Sequence, residues 1–324
     1  MINNVDPIYQ YYNAEIVGSN IIDTKAIFSV NRTDWIIQNP SDYYIGIEDF
    51  SIPLQGIPMF IFKDLTYKFK LEYDGLLLTE YLILTPESNL PNNYVFSYQS
   101  MINSMNIALK LLYDNMLIAK PLFSCNEQPF VTLQDNLITI NLEDQYLISG
   151  TKLFCNDSLY EFLRSINIYF FNFDQIEFVY YDWFPTYIRN GNVYYRLTQG
   201  TQEIENWNRL QSIVFETSTV PVSSENVGTQ ENIELNILGD FLRIPTPQKN
   251  GFFDYNNKGI IPLINLNSSY PMTQVDIIVR WFFNDFTSGI IIVPFSTIAQ
   301  IKLVLVKRQE ENKKNINQEG LLFG

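Results

Sequence analysis

Residues 207–244 read WNRLQSIVFETSTVPVSSENVGTQENIELNILGDFLRI, and this stretch predicts the fold class of the chain. From Leu210 to Thr217 the side chains alternate between two faces, which is the period of a β-strand. The run breaks at Val220-Pro221-Val222 and a polar loop follows. An apolar return, Ile233 to Ile237, leads into Gly239-Asp240-Phe241. Neither half has a helical period, so the stretch predicts two strands joined by a loop.

The composition of the 324 residues favours a β-rich fold with a large core. The chain is 46% apolar and 15% aromatic with only 17% charged residues, which excludes global disorder and is typical of aromatic, β-branched strands. This length can bury one domain with an insertion, or two domains. The net charge of −14 argues against direct nucleic-acid readout, because affinity for phosphates comes chiefly from Lys and Arg.

The residue types give little support to an enzyme. The chain has no His, so it lacks the commonest general base and metal ligand. Cys125 and Cys155 are a single pair without metal-site spacing, and we expect two buried thiols. Nothing in the sequence predicts a phosphate loop, a cofactor, a metal site or a membrane span.

Oxygen-rich groups leave two chemical alternatives open. A glycosidase needs two carboxyl groups about 5–10 Å apart, and the candidate pairs are Glu203 with Glu205 and Asp276 with Asp285. The possible oxygen ligands for a divalent ion, which lack EF-hand spacing, are Asp254, Asn256 and Asn257. Pairs of this kind arise freely among 35 acidic residues, so we expect a non-enzymatic protein.

The two ends of the chain read as strands, and the middle mixes helix with strand. The predicted strands outside the middle are Thr24–Arg32, Tyr43–Pro53, Thr66–Tyr73, Leu210–Thr217, Ile233–Ile237, Val275–Trp281, the apolar run Ile290–Pro294 and Thr297–Val306, whereas Thr246–Asn257 reads as a loop. About eight strands, three before the middle and five after it, is the number in a jelly roll. We therefore predict a mainly β protein, a single eight-stranded jelly roll with a mixed α/β insertion.

The insertion is predicted over residues 76–205. Apolar residues from Tyr98 to Met116 recur at steps of three and four, which predicts an amphipathic helix. Ser158 and Glu161 read as the capping box of a second, short helix. Two strands, Pro129–Gln134 and Leu137–Leu142, lie between them.

The aromatic tail of the insertion allows two interpretations. Exposed rings could form a surface for a sugar or a partner, and the residues proposed for it are Tyr180, Tyr181, Trp183 and Tyr187. Alternatively, the rings fill the core of a small domain.

Three groups of motifs resemble the minor capsid (penton) proteins of virophages and Polinton-like viruses. The first is a Pro-Ser-Asp-Tyr turn, Pro40 to Tyr43, entering a strand that closes in a proline-containing loop before a Phe-rich return, Ile57 to Phe62. The second is Ser-Thr-Val-Pro-Val-Ser-Ser-Glu followed by Ile-Leu-Gly-Asp-Phe, and the third is Val275-Asp276 with Trp281 before a last strand. The motif residues are Pro40, Tyr43, Pro58, Pro221, Glu225, Asp240, Phe241 and Trp281.

The resemblance implies a structural virion protein made in the host cytoplasm. It implies homopentamers that close the fivefold vertices of an icosahedral shell, beside a major capsid protein that forms double-jelly-roll trimers. The expected organisation is an N-terminal arm at 1–20, a jelly roll at 21–75 and 206–308, the insertion at 76–205 and a C-terminal tail at 309–324. The alternative class is a carbohydrate-binding β-sandwich that serves as a receptor- or glycan-binding module.

Both ends of the chain have two interpretations. The N-terminal arm could order on a neighbouring subunit, or it could be a frayed terminus. The tail ends in Leu321, Leu322 and Phe323, an apolar group on a charged tether that could be a docking peptide or could be disordered.

Overall fold

A computed structural model describes residues 9–19, 24–84, 93–181, 184–202, 207–223, 225–226, 234–242, 252–256, 261–285 and 287–308. The chain divides into two compact units. The first is Met1–Ile57 with Leu210–Gly324, and the second is Pro58–Arg209.

The described secondary structure is mostly strand. In chain order the strands are β1 (Tyr9–Val17), β2 (Thr24–Lys25), β3 (Ile27–Asn31), β4 (Tyr43–Pro53), β5 (Phe60–Ile61), β6 (Lys68–Tyr73), β7 (Leu76–Tyr81), β8 (Tyr94–Val95), β9 (Phe130–Gln134), β10 (Leu137–Glu143), β11 (Lys152–Cys155), β12 (Ile168–Asn172), β13 (Gln175–Phe178), β14 (Thr186–Arg189), β15 (Asn192–Thr198), β16 (Leu210–Glu216), β17 (Glu225–Asn226), β18 (Glu234–Leu235), β19 (Ile237–Leu242), β20 (Phe252–Asn256), β21 (Ile264–Asn265), β22 (Gln274–Phe283), β23 (Ser288–Ile290), β24 (Ile292–Val293) and β25 (Ile298–Lys307). The helices are α1 (Tyr98–Ala119), α2 (Asp144–Ile148) and α3 (Asp157–Tyr160), with 3₁₀ turns at Pro40–Asp42 and Leu54–Gly56.

The first unit is a jelly roll of two antiparallel sheets. One sheet has the order β1-β25-β4-β20, and the short strand β21 also pairs with β4. In the other, β22 pairs with β16 on one side and with β3 and β23 on the other, and β19 follows β16. Among the described residues, each of the two sheets has five strands when the short strands are counted. The predicted mainly β, jelly-roll fold is confirmed.

Strand β4 keeps its apolar side chains in the core by means of a bulge. Ile45 and Ile47 face inward, yet Phe50 and Ile52 are also fully buried, which simple alternation does not allow. The register against β25 shifts so that Lys302 pairs with Asp49 and Leu303 with Ile47. The extra residue reverses the alternation for the rest of the strand.

Aromatic rings from both sheets fill the core of the jelly roll around Phe50. Its ring centroid lies 4.8 Å from that of Phe215, 4.9 Å from Phe241, 5.4 Å from Phe253 and 5.3 Å from Tyr255. Phe215 and Phe241 belong to the second sheet, whereas the other two belong to β20 beside β4. Such ring pairs add to the free energy gained from burial alone.

The structure corrects three predicted boundaries. Residues 9–17, part of the predicted arm, form strand β1, which pairs with β25 along nine residues. The predicted loop Thr246–Asn257 contains strand β20, which pairs with β4. Strand β6, assigned by sequence to the jelly roll, lies in the second unit because it pairs with β7 and β11.

The second unit packs helix α1 against sheets with the orders β14-β15-β10-β9 and β12-β13-β11-β6-β7. The predicted helix from Tyr98 is confirmed, and its predicted apolar positions line the core. Three hairpins use two-residue turns with positive φ at both positions, a geometry that favours Asn, Asp and Gly. These turns are Asp74-Gly75, Asp135-Asn136 and Asn190-Gly191.

The second predicted helix is only partly correct. Helix α3 begins after Asn156, so Ser158 lies within it and forms no capping box. The N-cap position is Asn156, whose side chain does not cap the helix because it accepts a hydrogen bond from the Lys68 amide and donates one to the Thr66 carbonyl. Among the described residues, no helix is both long and apolar enough to cross a membrane.

Candidate functional surfaces

The outward face of the sheet β1-β25-β4-β20 carries four carboxylates, each bound to a neighbour. The carboxylate of Glu15 accepts a hydrogen bond from Gln300 at 3.0 Å, and that of Asp254 accepts one from Ser51 at 2.6 Å. Asp49 accepts from Asn256 at 3.0 Å, and Glu48 lies 2.7 Å from the ammonium of Lys302. We call these eight residues the paired face. Asp254 and Asn256, the possible metal ligands, are thus engaged in protein contacts, and Asn257 lies outside the described residues.

The motif around Pro221 is held by Asp276, which belongs to another of the quoted motifs. Its carboxylate accepts hydrogen bonds from the Thr217 hydroxyl at 3.0 Å, the Ser218 hydroxyl at 2.6 Å and the Thr219 amide at 2.8 Å. The resulting turn buries Val220 and fixes the chain that enters Pro221. Two motifs that are far apart in sequence therefore form one structural feature.

The electrostatics of Asp276 do not suit a general acid. Burial alone raises the pKa of its carboxyl, but hydrogen bonds from Ser218, Thr219 and Thr217 outweigh burial and lower the pKa below its ordinary value of 3.8. A carboxylate held in this way stays ionised and has its acceptor sites occupied. Glu203 and Glu205, the other candidate pair, lie outside the described residues.

A loop cluster of the jelly roll exposes two large rings. Trp35 is 55% exposed and Tyr270 is 81% exposed. The loops that carry them are tied together, because the Ile36 amide donates to the Met272 carbonyl at 2.7 Å. Exposed rings on a fixed loop cluster are suited to contact with another protein surface.

Most of the other motif residues have structural positions. Tyr43 begins β4 and is buried, Pro40 opens the 3₁₀ turn before it, and Pro58 is buried in the second unit. Trp281 is buried over Gly289, where its ring lies 2.6 Å from the place a Cβ would take. Phe241 joins the Phe50 cluster, Asp240 is exposed on β19, and Glu225 pairs through its backbone with Leu235.

The aromatic segment of the second unit is divided between core and surface. Tyr180 is buried, which agrees with the core interpretation of this segment and not with the exposed-surface one, and its hydroxyl donates to the Thr151 carbonyl. Tyr181 is 37% exposed and its hydroxyl lies 2.8 Å from that of Tyr169. Tyr187 is half-buried and donates to Asn141 at 3.1 Å, whereas Trp183 lies outside the described residues.

The sequence analysis missed a polar groove on the outward face of β14-β15-β10-β9. Its volume is about 530 Å³, and its floor carries Thr132, Thr139 and Thr198, which face one another across three strands. The lining also includes Leu133, Gln134, Asp135, Leu137, Asn141, Tyr187 and Arg196. We call this feature the threonine groove. Its only signal in the sequence was polar residues at alternate positions of predicted strands.

The edge strand β12 forms a second surface that the sequence analysis missed. Tyr169, Phe170, Phe171 and Phe173 are each 55–74% exposed. The hairpin that carries them is fixed by Asp174, which forms ion pairs with Lys68 and Lys70 of β6. An exposed, uncharged edge strand of this kind is a site where another chain can pair.

The described residues contain no group of His, Cys, Asp and Glu arranged to hold a metal ion. Cys125 and Cys155 are free and buried, as predicted. Burial raises the pKa of the Cys125 thiol to about 12, so this thiol is un-ionised at neutral pH and unreactive.

Two solved structures are similar to this chain over nearly its whole length. One is a chain of the Sputnik virophage, determined by cryo-electron microscopy, with 23% sequence identity and a TM-score of 0.71; the match covers 94% of this chain and 99% of that chain. The other is the penton protein of mavirus, determined by crystallography, with 13% identity and a TM-score of 0.66, covering 92% of this chain and 99% of that chain. No protein-family model and no curated protein matches the sequence. The chain therefore has the fold of these virophage proteins, including the inserted unit.

Proposed function

We propose that the protein is a non-enzymatic minor capsid (penton) protein that forms homopentamers at the fivefold vertices of an icosahedral virion. Its partners are then further copies of itself and a major capsid protein of double-jelly-roll trimers. It is made in the host cytoplasm and resides in the virion.

One observation carries this proposal: the fold match to the mavirus penton protein covers 92% of this chain and 99% of that one. A jelly roll alone occurs in proteins of many functions. A match over this length also includes the inserted unit, which accounts for nearly half of the chain. The shared combination of jelly roll and insertion is more specific than the sandwich alone.

The surfaces of the jelly roll suit assembly better than catalysis. A closed ring requires two different surfaces of each subunit to meet. Trp35 and Tyr270 form one exposed aromatic surface, and Tyr9 and Tyr11 on the edge strand β1, 55% and 52% exposed, form another. A partner that bound either surface would bury its exposed apolar area.

The mass of the purified protein in solution, measured by light scattering, tests the pentamer. The subunit mass is 37.9 kDa, so a ring of five has a mass of about 190 kDa. Replacing both Trp35 and Tyr270 by Ser should shift the mass toward the monomer, whereas Leu122→Ser, at a residue that is 88% exposed in the other unit, should not. A monomer at every concentration, with and without purified major capsid trimers, would contradict the proposal.

Truncations test the contact with neighbouring capsomers. Because residues 9–17 are a strand of the jelly roll, an informative N-terminal deletion removes only residues 1–8, and the C-terminal deletion removes 309–324. We expect at least one deletion to retain the pentamer and to lose incorporation into shells. Normal vertices from both shortened proteins would show that neither end makes the contact.

A further inference from the structure

The threonine groove has the size and lining of a ligand site. Its volume of about 530 Å³ lies within the range of about 300–1,000 Å³ typical of small-molecule sites. Its polar groups are held in place by their own sheet: the hydroxyl oxygens of Thr139 and Thr198 are 2.9 Å apart, and the buried amide of Asn141 donates to Thr132 at 3.2 Å. The floor is therefore preorganised.

Arg196 gives one end of the groove a positive charge. The one carboxylate of the lining, Asp135, lies at the other end, in the turn between β9 and β10, whereas Arg196 pairs with Asn141 of β10. Its guanidinium lies over the ring of Tyr187, 4.2 Å from the centroid. It forms no ion pair with a carboxylate of the described residues. The side chain is exposed, so its N–H groups remain accessible. An arginine held in this way favours an anionic ligand, because its planar fork matches a carboxylate.

The remaining lining distinguishes among anionic ligands. Three threonine hydroxyls and the side chains of Gln134 and Asp135 offer donors and acceptors to a ligand rich in hydroxyl groups. The ring of Tyr187 is already engaged by Arg196 and by Tyr194, whose ring stacks on it at 5.4 Å. A nucleobase or a sugar held mainly by ring stacking has little free aromatic surface here.

We propose that the threonine groove binds an acidic sugar, with the carboxylate on Arg196 and the ring hydroxyls on the threonine floor. This places a glycan site on the inserted unit, and it does not depend on the pentamer. The ligand is a carboxylated monosaccharide unit, free or at the end of a glycan.

Binding to matched sugars, measured by ligand-observed NMR, tests the proposal on the full chain. The probes are methyl glucuronide, methyl galacturonide and a methyl sialoside, each compared with methyl glucoside and methyl galactoside, which lack the carboxylate. We expect at least one acidic probe to bind about tenfold or more tightly than the neutral probes, because a charge-assisted hydrogen bond is roughly twice as strong as a neutral one.

Variants assign the binding to the groove. Arg196→Gln should weaken acidic-sugar binding by about tenfold or more, and Thr198→Val should weaken it by about threefold to tenfold. Arg164→Gln is the control, because Arg164 is an exposed arginine of the same unit that does not line the groove. Circular dichroism and melting curves establish that each variant is folded.

Four outcomes would overturn the proposal. They are no binding of any acidic probe at millimolar concentration, equal binding of acidic and neutral sugars, unchanged binding by folded Arg196→Gln, and binding of inorganic sulfate as tight as that of the sugar. The last outcome would identify a site for simple anions instead.

Discussion

The outward faces of two sheets, one in each unit, differ in how they use charge. On the paired face of the jelly roll, four carboxylates each bind a neighbouring strand's donor. On the threonine groove of the inserted unit, Arg196 has only an aromatic contact and no acidic partner among the described residues. A face on which each carboxylate already binds a donor attracts a charged ligand only weakly. An arginine without an acidic partner, beside a polar floor, can still attract an anionic ligand. We therefore expect ligand binding at the threonine groove and not at the paired face.

The largest expected loss of stability comes from removing the ring of Phe50, which lies in the core beneath the paired face. Phe50→Ala takes a fully buried ring from between the two sheets, and loss of burial plus the remaining cavity should cost about 3–5 kcal/mol of unfolding free energy. Urea denaturation measures this cost. The conservative variant Phe50→Leu should lose clearly less stability than Phe50→Ala, because leucine refills much of the cavity. A loss below about 1 kcal/mol in Phe50→Ala would contradict the central position of this ring in the core.

Asp276→Asn should destabilise the jelly roll by about 1.5–3 kcal/mol at neutral pH, because several hydrogen bonds lose a charged acceptor. The pKa of Asp276 is lowered on folding, so its charge stabilises the fold above the unfolded pKa. That contribution is lost as the pH falls through the folded value.

Thermal melting between pH 7 and pH 2.5 checks this pH dependence. The difference in melting temperature between the original protein and Asp276→Asn should be largest near neutral pH and should shrink below about pH 4. Asp240→Asn, at an exposed position on β19, is the control. A difference that stayed constant across this range would mean that the ionised carboxylate does not hold the turn.

Asn141→Ala should disrupt the hydrogen bonds in the floor of the threonine groove and leave the charge of Arg196 in place. The buried amide donates to Thr132 and to the backbone carbonyls of Phe130 and Thr139, and it accepts from Tyr187. Leaving such groups without partners should cost about 1–3 kcal/mol, measured by denaturation. Thr132→Ala, which removes one exposed hydroxyl, should cost clearly less; the reverse order would contradict the assignment of Asn141 as the organiser of the floor.

Sequence patterns predicted those parts of the fold that local rules determine. Helix α1 was predicted because its apolar residues from Tyr98 to Met116 recur on one face and pack on one core. Strand β22 was predicted because every second residue from Val275 to Trp281 is apolar and buried. The bulge at Glu48 was not visible, because it depends on the register of β25. Strand β20 was predicted to be a loop because turn-forming residues surround it, and it is a strand because it pairs with β4.

The groove was harder to predict than the fold, because its members come from separate strands. Thr132, Thr139 and Thr198 become neighbours only through the register of β9, β10 and β15. Arg196 lines the groove only because its position on β15 pairs with Asn141 of β10, which no sequence pattern reports. The aromatic segment could not be divided between core and surface for a related reason. Tyr180 is buried and Tyr187, seven residues later, borders the groove.

The smallest expected effect tests the comparison itself. Lys302→Gln removes the ammonium next to Glu48, and Arg196→Gln removes the guanidinium over Tyr187. Exposed charges contribute little to folding, so each variant should melt within about 2 °C of the original protein. The two should differ in recognition, because only Arg196→Gln should lose the acidic sugar. If Lys302→Gln instead lowered the melting temperature by many degrees, the charges of the paired face would contribute substantially to stability. Their pairing would then be explained by folding, and it would no longer indicate a difference in ligand binding between the two faces.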